Sequence, residues 1–198
     1  LTLHDALPIY TWLYEKMHDL ATIDSLTGVY NRGYFNQAVE EEFSKTMNRS
    51  PMSIVMADLD YFKSVNDNYG HLFGDKVLKE VAQIMKSSIR DGDILARYGG
   101  EEFVLILPRA DSEQAYMVVE RLRRKIQDTV IEDKDHSVHT TLSFGIASYP
   151  EDGASVRKII KKADNALYQA KRDGRNCTRK ASDEQMEILD RKSTRLNS

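Results

Sequence analysis

The chain has 198 residues, 41% hydrophobic and 30% charged, with a formal net charge of −3. That balance suits one soluble α/β domain plus a short extra element, and it excludes an overall basic field that would draw the protein to nucleic acid or to a membrane. The only cysteine, Cys177, rules out an internal disulfide and fits a reducing compartment, and no apolar stretch approaches the roughly 20 residues of a membrane span.

In chain order, residues 1–9 and 192–198 lack usable periodicity and read as non-native, adapter-like tails or as ordinary disordered ends; neither informs the fold. Residues 10–20 carry Trp12, Leu13, Met17 and Leu20 at helical spacing, so residues 10–23 are expected to be a helix stub and linker ahead of a domain spanning residues 24–180. Residues 181–198 form the expected C-terminal tail. The run DSLTGVYNR at 24–32 is a turn-rich connector. Asn31 is the expected N-cap of a helix bearing Phe35, Ala38, Val39, Phe43 and Met47. Residues 54–57 (IVMA) are a short continuous apolar run, hence a buried strand ended by Asp58, Leu59 and Asp60. One long helix is expected next, with Val77, Leu78, Val81, Ile84, Met85 and Ile89 on its apolar stripe.

Two strands, 94–98 and 103–107, flank Gly99-Gly100-Glu101-Glu102, and a glycine pair between strands signals a hairpin whose turn uses positive φ. A helix marked by Ala115, Val118, Val119, Leu122 and Ile126 comes next. A strand at 140–147, a helix marked by Val156 to Ala170, and a last strand at 176–178 complete the pattern. The expected class is therefore α/β, a single domain with a central five-stranded sheet flanked by helices.

Acids gather where the chemistry belongs. Asp58 and Asp60 end an apolar strand, and Glu101 and Glu102 sit in a hairpin; strand ends and hairpin tips present functional groups on a rigid support. Carboxylates brought together there repel unless a cation lies between them, and hard oxygen ligands favour Mg²⁺. Taken singly, these residues leave other readings open: Asp58 as a helix N-cap, Glu101-Glu102 as a solvated turn, Asp75 as a cap, Asn66 as a turn residue, and Lys171 and Arg175 as a solvated helix end. Tyr61-Phe62 reads as core or pocket wall. The five histidines share no metal-ligand spacing.

The order of the signals is specific. Gly99-Gly100-Glu101-Glu102-Phe103, together with the run at 24–32, Asp58-Leu59-Asp60-Tyr61-Phe62-Lys63, Asn66-Asp67, Tyr69-Gly70-His71, Gly74-Asp75, Ala163-Asp164, Ala166-Leu167-Tyr168 and Ala170-Lys171, resembles the GGDEF family of diguanylate cyclases over about residues 24–178. The resemblance implies a mostly antiparallel sheet similar to the nucleotidyl cyclase and polymerase palm. It implies condensation of two GTP into cyclic di-GMP, with Mg²⁺ or Mn²⁺, two ions per site, held by Asp58, the Leu59 carbonyl and Glu101. Glu102 is implied near the metals or the attacking hydroxyl. Gly99 and Gly100 are implied to let backbone approach the phosphates, and Phe62 to line the substrate pocket. Lys63, Lys171 and Arg175 are implied to face the triphosphate, and Asn66 and Asp75 to read the guanine edge.

The same resemblance makes Arg90 and Asp93 an Arg-x-x-Asp inhibitory site for the product, with Arg121 as a third arm, and a charged loop is the plainer reading. It implies a homodimer with one GTP per domain, an upstream sensor, and a bacterial, cytoplasmic setting without nucleic-acid or membrane contact. The competing function is a catalytically silent cyclic di-GMP receptor.

Overall fold

The computed structural model describes residues 21–46 and 50–181, so the helix expected at 10–20 and both terminal tails lie outside the described residues. Central to it is strand β2 (Met52–Leu59), every residue of which is buried. A continuous apolar run can be buried on both sides only if both sheet faces are covered, and they are. Alternation along β2 sends Val55, Ala57 and Leu59 into one core and Met52, Ile54 and Met56 into the other. Helices α3 (His71–Lys86) and α4 (Ser112–Asp128) supply the first core, while α1 (Arg32–Thr46) and α5 (Val156–Arg172) supply the second.

Six strands make the sheet, in the order β1 (Tyr30–Asn31), β3 (Ile94–Arg97), β4 (Glu102–Pro108), β2, β7 (Leu142–Tyr149) and β8 (Thr178–Lys180). The inner pairings are antiparallel and the two edge pairings, β1 with β3 and β7 with β8, are parallel. The expected five strands are all present. The sixth, β1, has two residues and no room for a periodic signal. A separate two-stranded sheet, β5 (Val130–Glu132) with β6 (Ser137–His139), was equally too short to announce itself.

Three local expectations need correction. The long helix after Asp60 is two helices, α2 (Phe62–Tyr69) and α3, because Gly70 at φ 83°, ψ 160° turns the chain between them; Ile89 lies beyond the end of α3. The last strand starts at Thr178 rather than 176, because Arg175 and Asn176 are left-handed, at φ 65° and 46°. The hairpin glycines do not supply positive φ, which among the glycines occurs at Gly28, Gly70, Gly92 and Gly174. At Gly99 the Glu102 carboxylate occupies the space a Cβ would take, so a side chain there would push that carboxylate aside.

The expected cap at Asn31 is present, and the structure adds a second one at Asp111. The Asn31 side chain accepts from the Tyr34 N–H at 2.9 Å at the start of α1, and Asp111 with Gln114 forms a reciprocal capping box on α4. Close packing of α5 on β7 depends on Gly145, where any Cβ would meet the backbone of Ala163 and Leu167. That contact sets the depth of α5 and, through it, the position of Lys171 near the helix C-terminus.

Candidate active site

Strand register builds the acidic corner. Asp58, near the end of β2, pairs opposite Glu102 on β4 and Ser143 on β7. Beyond it the Leu59 N–H donates to the Glu101 carbonyl at 3.2 Å, and the Tyr98 and Gly99 N–H groups both donate to the Glu102 carbonyl, closing the turn. Asp58 is 6% exposed. Among the described residues its ion-pair partner is Lys171, whose Nζ stands 2.7 Å from Oδ2.

The charges there are out of balance. Burial pushes the Asp58 carboxyl up from its ordinary value, Lys171 opposes this, Asp60 adds to it and Arg175 opposes it. Glu101 is also pushed up, by burial and then by the Asp58 charge, with Lys171 opposing and Glu102 adding. Carboxylates raised first by burial and then by a neighbouring acid, Asp60 for Asp58 and Asp58 for Glu101, share too little positive charge, and a hard dication would relieve that. Two carboxylates and a backbone carbonyl suit Mg²⁺, which takes water and phosphate oxygens as its remaining ligands. Among the described residues no group of three or more acids, histidines or cysteines is arranged to hold a metal ion by side chains alone.

Helix α2 leaves this corner directly, with no side-chain cap on its first turn. Phe62 is buried in the core on the α3–α4 side of the sheet. Lys63 is ion-paired with Asp67 one turn along, at 2.8 Å, and both are well exposed; the cation beside the carboxylates is Lys171. Asn66 on α2 and Asp75 on α3 are both partly buried, and the Asn66 side chain fills the space that Gly74, beside Asp75, leaves by lacking a Cβ. Asp75 is inside α3, whose N-cap is Gly70, so the capping reading of Asp75 does not hold.

Asp60 and Tyr61 take roles the residues alone did not suggest. Asp60 is 4% exposed and its carboxylate accepts from Thr141 Oγ1, Ser143 Oγ and the Asn176 N–H, at 2.7, 2.7 and 3.0 Å. Tyr61 is 64% exposed, not core, and left-handed at φ 57°. The Arg175 guanidinium lies over its ring, 4.6 Å from the centroid.

Two further positioning residues went unrecognised. Arg97 donates through Nε and Nη2 to the Gly100 carbonyl, at 3.1 and 2.7 Å, and through Nη1 to both carboxylate oxygens of Asp24. Burial works against the charged form of Asp24, but Thr27 and Arg97 outweigh it and hold its carboxyl below the ordinary range. Asp24 lay within the quoted run at 24–32, whereas nothing in sequence distinguishes Arg97 from any strand arginine.

The other end of the β3–β4 hairpin is separate. Arg90, Asp93 and Arg121 line one cavity of about 420 Å³ within a single chain. Arg90 donates from its backbone N–H and Nε to the Asp93 carboxylate and from Nη2 to the Pro108 carbonyl, and Arg121 Nη2 donates to the Ser88 carbonyl at 2.7 Å. Pro108 ends β4 and Glu102 starts it, so the cavity and the acidic corner lie roughly 20 Å apart along the strand. A cavity of about 560 Å³ between α1 and α5 holds none of the expected site residues.

The sequence model described as "Diguanylate cyclase, GGDEF domain" matches residues 21–177. Diguanylate cyclase A of Treponema denticola is 39% identical over 166 residues, covering 82% of this chain and 45% of that protein. Diguanylate cyclase VdcA of Vibrio cholerae is 41% identical over 164 residues, covering 81% of this chain and 47% of that protein. The chain thus spans less than half the length of these relatives. The crystallised GGDEF domain of DgcB from Caulobacter crescentus, in complex with c-di-GMP, superposes with a TM-score of 0.78 at 31% identity, covering 82% of this chain and 96% of that one. By sequence and by fold, this chain belongs to the GGDEF-domain family of diguanylate cyclases.

Proposed function

We propose that the domain is a diguanylate cyclase: it condenses two GTP into cyclic di-GMP and releases two pyrophosphates. The observation that carries the reading is the cation-poor pair of buried Asp58 and half-buried Glu101 at the strand end, with Lys171 alongside. Both carboxylates, with the Leu59 carbonyl, would hold two Mg²⁺ or Mn²⁺ ions. Bound there, the ions supply Lewis acidity that lowers the pKa of a ribose hydroxyl and offsets charge growing on the α-phosphate.

The remaining work belongs to the chain. Lys171 and Arg175 face the triphosphate as fixed cations, joined by Lys63 when it leaves Asp67. The uncapped start of α2 offers N–H groups to the same oxygens. Gly99 and Gly100 keep the turn thin, and at Gly100 no protein atom lies near where a Cβ would stand. Glu102, opposite Asp58, is placed to orient the attacking 3′-hydroxyl or take its proton. Phe62 walls the pocket. Asn66 and Asp75 read the base: a carboxylate satisfies the two adjacent N–H donors of guanine and is left unpaired by adenine.

Each domain presents one GTP, so two copies must meet face to face, and the active species is a homodimer. Product accumulating in the Arg90–Asp93–Arg121 cavity acts as the inhibitor, away from the substrate. In this reading the domain is the cytoplasmic output of a longer bacterial sensor protein. Among the described residues no helix is long and apolar enough to cross a membrane.

The test is to incubate the purified chain with GTP and Mg²⁺ and identify products by mass. Cyclic di-GMP and pyrophosphate are expected. Tight binding of added cyclic di-GMP with no turnover would overturn the reading in favour of a receptor module.

A further inference from the structure

The segment joining α5 to β8 is held in a conformation its residues would not choose. Gly174, Arg175 and Asn176 have φ of 108°, 65° and 46° in succession, and two of the three carry side chains. Non-glycine residues stay left-handed only where their surroundings over-determine them. Here the surroundings can be named. The Asn176 N–H donates to Asp60, whose carboxylate is anchored by Thr141 and Ser143 on and beside β7. The Asn176 side chain is gripped from the other side: its Oδ1 accepts from Arg123 Nη1 at 2.8 Å, and its Nδ2 donates to Gln127 at 3.1 Å. Arg123 is itself fixed, donating twice to Glu120 at 2.9 Å. The Arg175 N–H closes onto the Ala170 carbonyl, and its guanidinium rests on Tyr61, the residue after Asp60.

Asp60 therefore reaches Arg175 by two routes, through the Asn176 backbone and through the ring of its own neighbour. Its buried lone pairs are engaged by three donors, so despite standing two residues from Asp58 it serves as an anchor and not as part of the acidic corner. From these contacts we infer that Asp60, and Arg123 acting through Asn176, are positioning residues that fix Arg175 where the phosphates of GTP bind. The inference rests on the reading above that Arg175 faces the triphosphate. A mobile arginine would lose side-chain entropy on every binding event, whereas one already mounted on Tyr61 loses little.

The experiment measures GTP affinity by calorimetry with Mg²⁺, and KM and kcat, for Arg175→Ala, Asp60→Asn, Arg123→Met, Arg123→Lys and the two doubles that add Asp60→Asn or Arg123→Met to Arg175→Ala. Arg175→Ala is expected to weaken GTP binding about tenfold, Asp60→Asn by a similar factor and Arg123→Met about threefold, with kcat within about twofold in each. Arg123→Lys, which keeps a donor for Asn176, should recover most of the loss. Both doubles should be no worse than Arg175→Ala alone, because the shared consequence is already gone. Fully multiplicative losses, or wild-type affinity in both Asp60→Asn and Arg123→Met while Arg175→Ala is impaired, overturn the inference and leave the role of Arg175 standing. Wild-type affinity in Arg175→Ala overturns that role and the inference with it. Should Asp60→Asn fail to fold, the Arg123 variants and their double decide the matter alone.

Discussion

The two ends of one β-hairpin solve opposite electrostatic problems. At the turn, Asp58 and Glu101 crowd together, both raised by burial and by neighbouring carboxylates, with Lys171 as the ion-pair partner of Asp58. At the open end the acid is matched: Asp93, its side chain 2% exposed, takes two hydrogen bonds from Arg90, and Arg121 stands across the same cavity. One end lacks positive charge, which in the proposed function is supplied by a dication with its phosphates. The other has arginine donors beyond what Asp93 consumes, which suits a phosphate-bearing ligand that arrives without metal. Under that proposal the same pair of strands offers two kinds of nucleotide site, told apart by which charge is in excess.

The largest expected effect lies at the turn. Glu101→Gln keeps the shape and removes one charge, so GTP turnover should fall by at least about 10²-fold while the thermal midpoint holds or rises, since a crowded carboxylate is gone. Wild-type turnover with Mg²⁺ would break the comparison, because the excess negative charge would then be idle. Next comes base choice. Asp75→Ser removes a charge that adenine cannot satisfy, and the ratio of kcat/KM for GTP over ATP should shrink by about 1–3 kcal/mol, or roughly 5- to 150-fold. An unchanged ratio would make Asp75 a mere surface residue of α3.

At the open end, Arg90→Ala should raise the concentration of cyclic di-GMP needed for half-inhibition about tenfold, as expected for losing one charge-assisted contact. Inhibition of the wild type should be non-competitive with GTP, given the roughly 20 Å between the two ends. If GTP relieves it equally in both proteins, the product is competing at the turn and the division of labour is wrong.

The smallest effect concerns α4, which serves both ends through Arg121 and Arg123. Hydrogen bonds from Arg123 hold the Glu120 carboxyl below its ordinary value; burial opposes this, and Thr178 and the charge of Arg124 assist. A depressed folded-state value stabilises the protein above the unfolded value of about 4.5 and is lost as pH falls through the lower folded one. Wild type should therefore lose its advantage over Glu120→Gln as the pH falls below about 4.5, by less than about 1 kcal/mol because the group is only partly shielded from solvent. Denaturation curves for both proteins at several pH values would show it; an advantage that grows on acidification would mean that Glu120 gains nothing from Arg123.

What the amino-acid sequence determined by itself is whatever depends on local spacing. Apolar runs marked β2 and β7, helical periodicity marked α1, α4 and α5, and the Gly99–Phe103 signature marked the hairpin, because burial repeats every two or 3.6 residues whatever the partner. It also named most of the acidic corner, since Asp58, Glu101 and Glu102 belong to short motifs. Tertiary structure alone decided which charge meets which. Lys171 reaches Asp58 only because Gly145 lets α5 lie close on β7, and Lys63, equally basic and much nearer in sequence, turns to Asp67 instead. Gly70 split a helix whose apolar stripe reads as continuous. Asp60 looked like the twin of Asp58 and became an anchor, because the strand ends between them and the chain turns left-handed at Tyr61, sending one carboxylate to Lys171 and the other to Thr141, Ser143 and Asn176. Spacing along a chain carries no record of partners drawn from distant segments, and at this site those partners set the role of each charge.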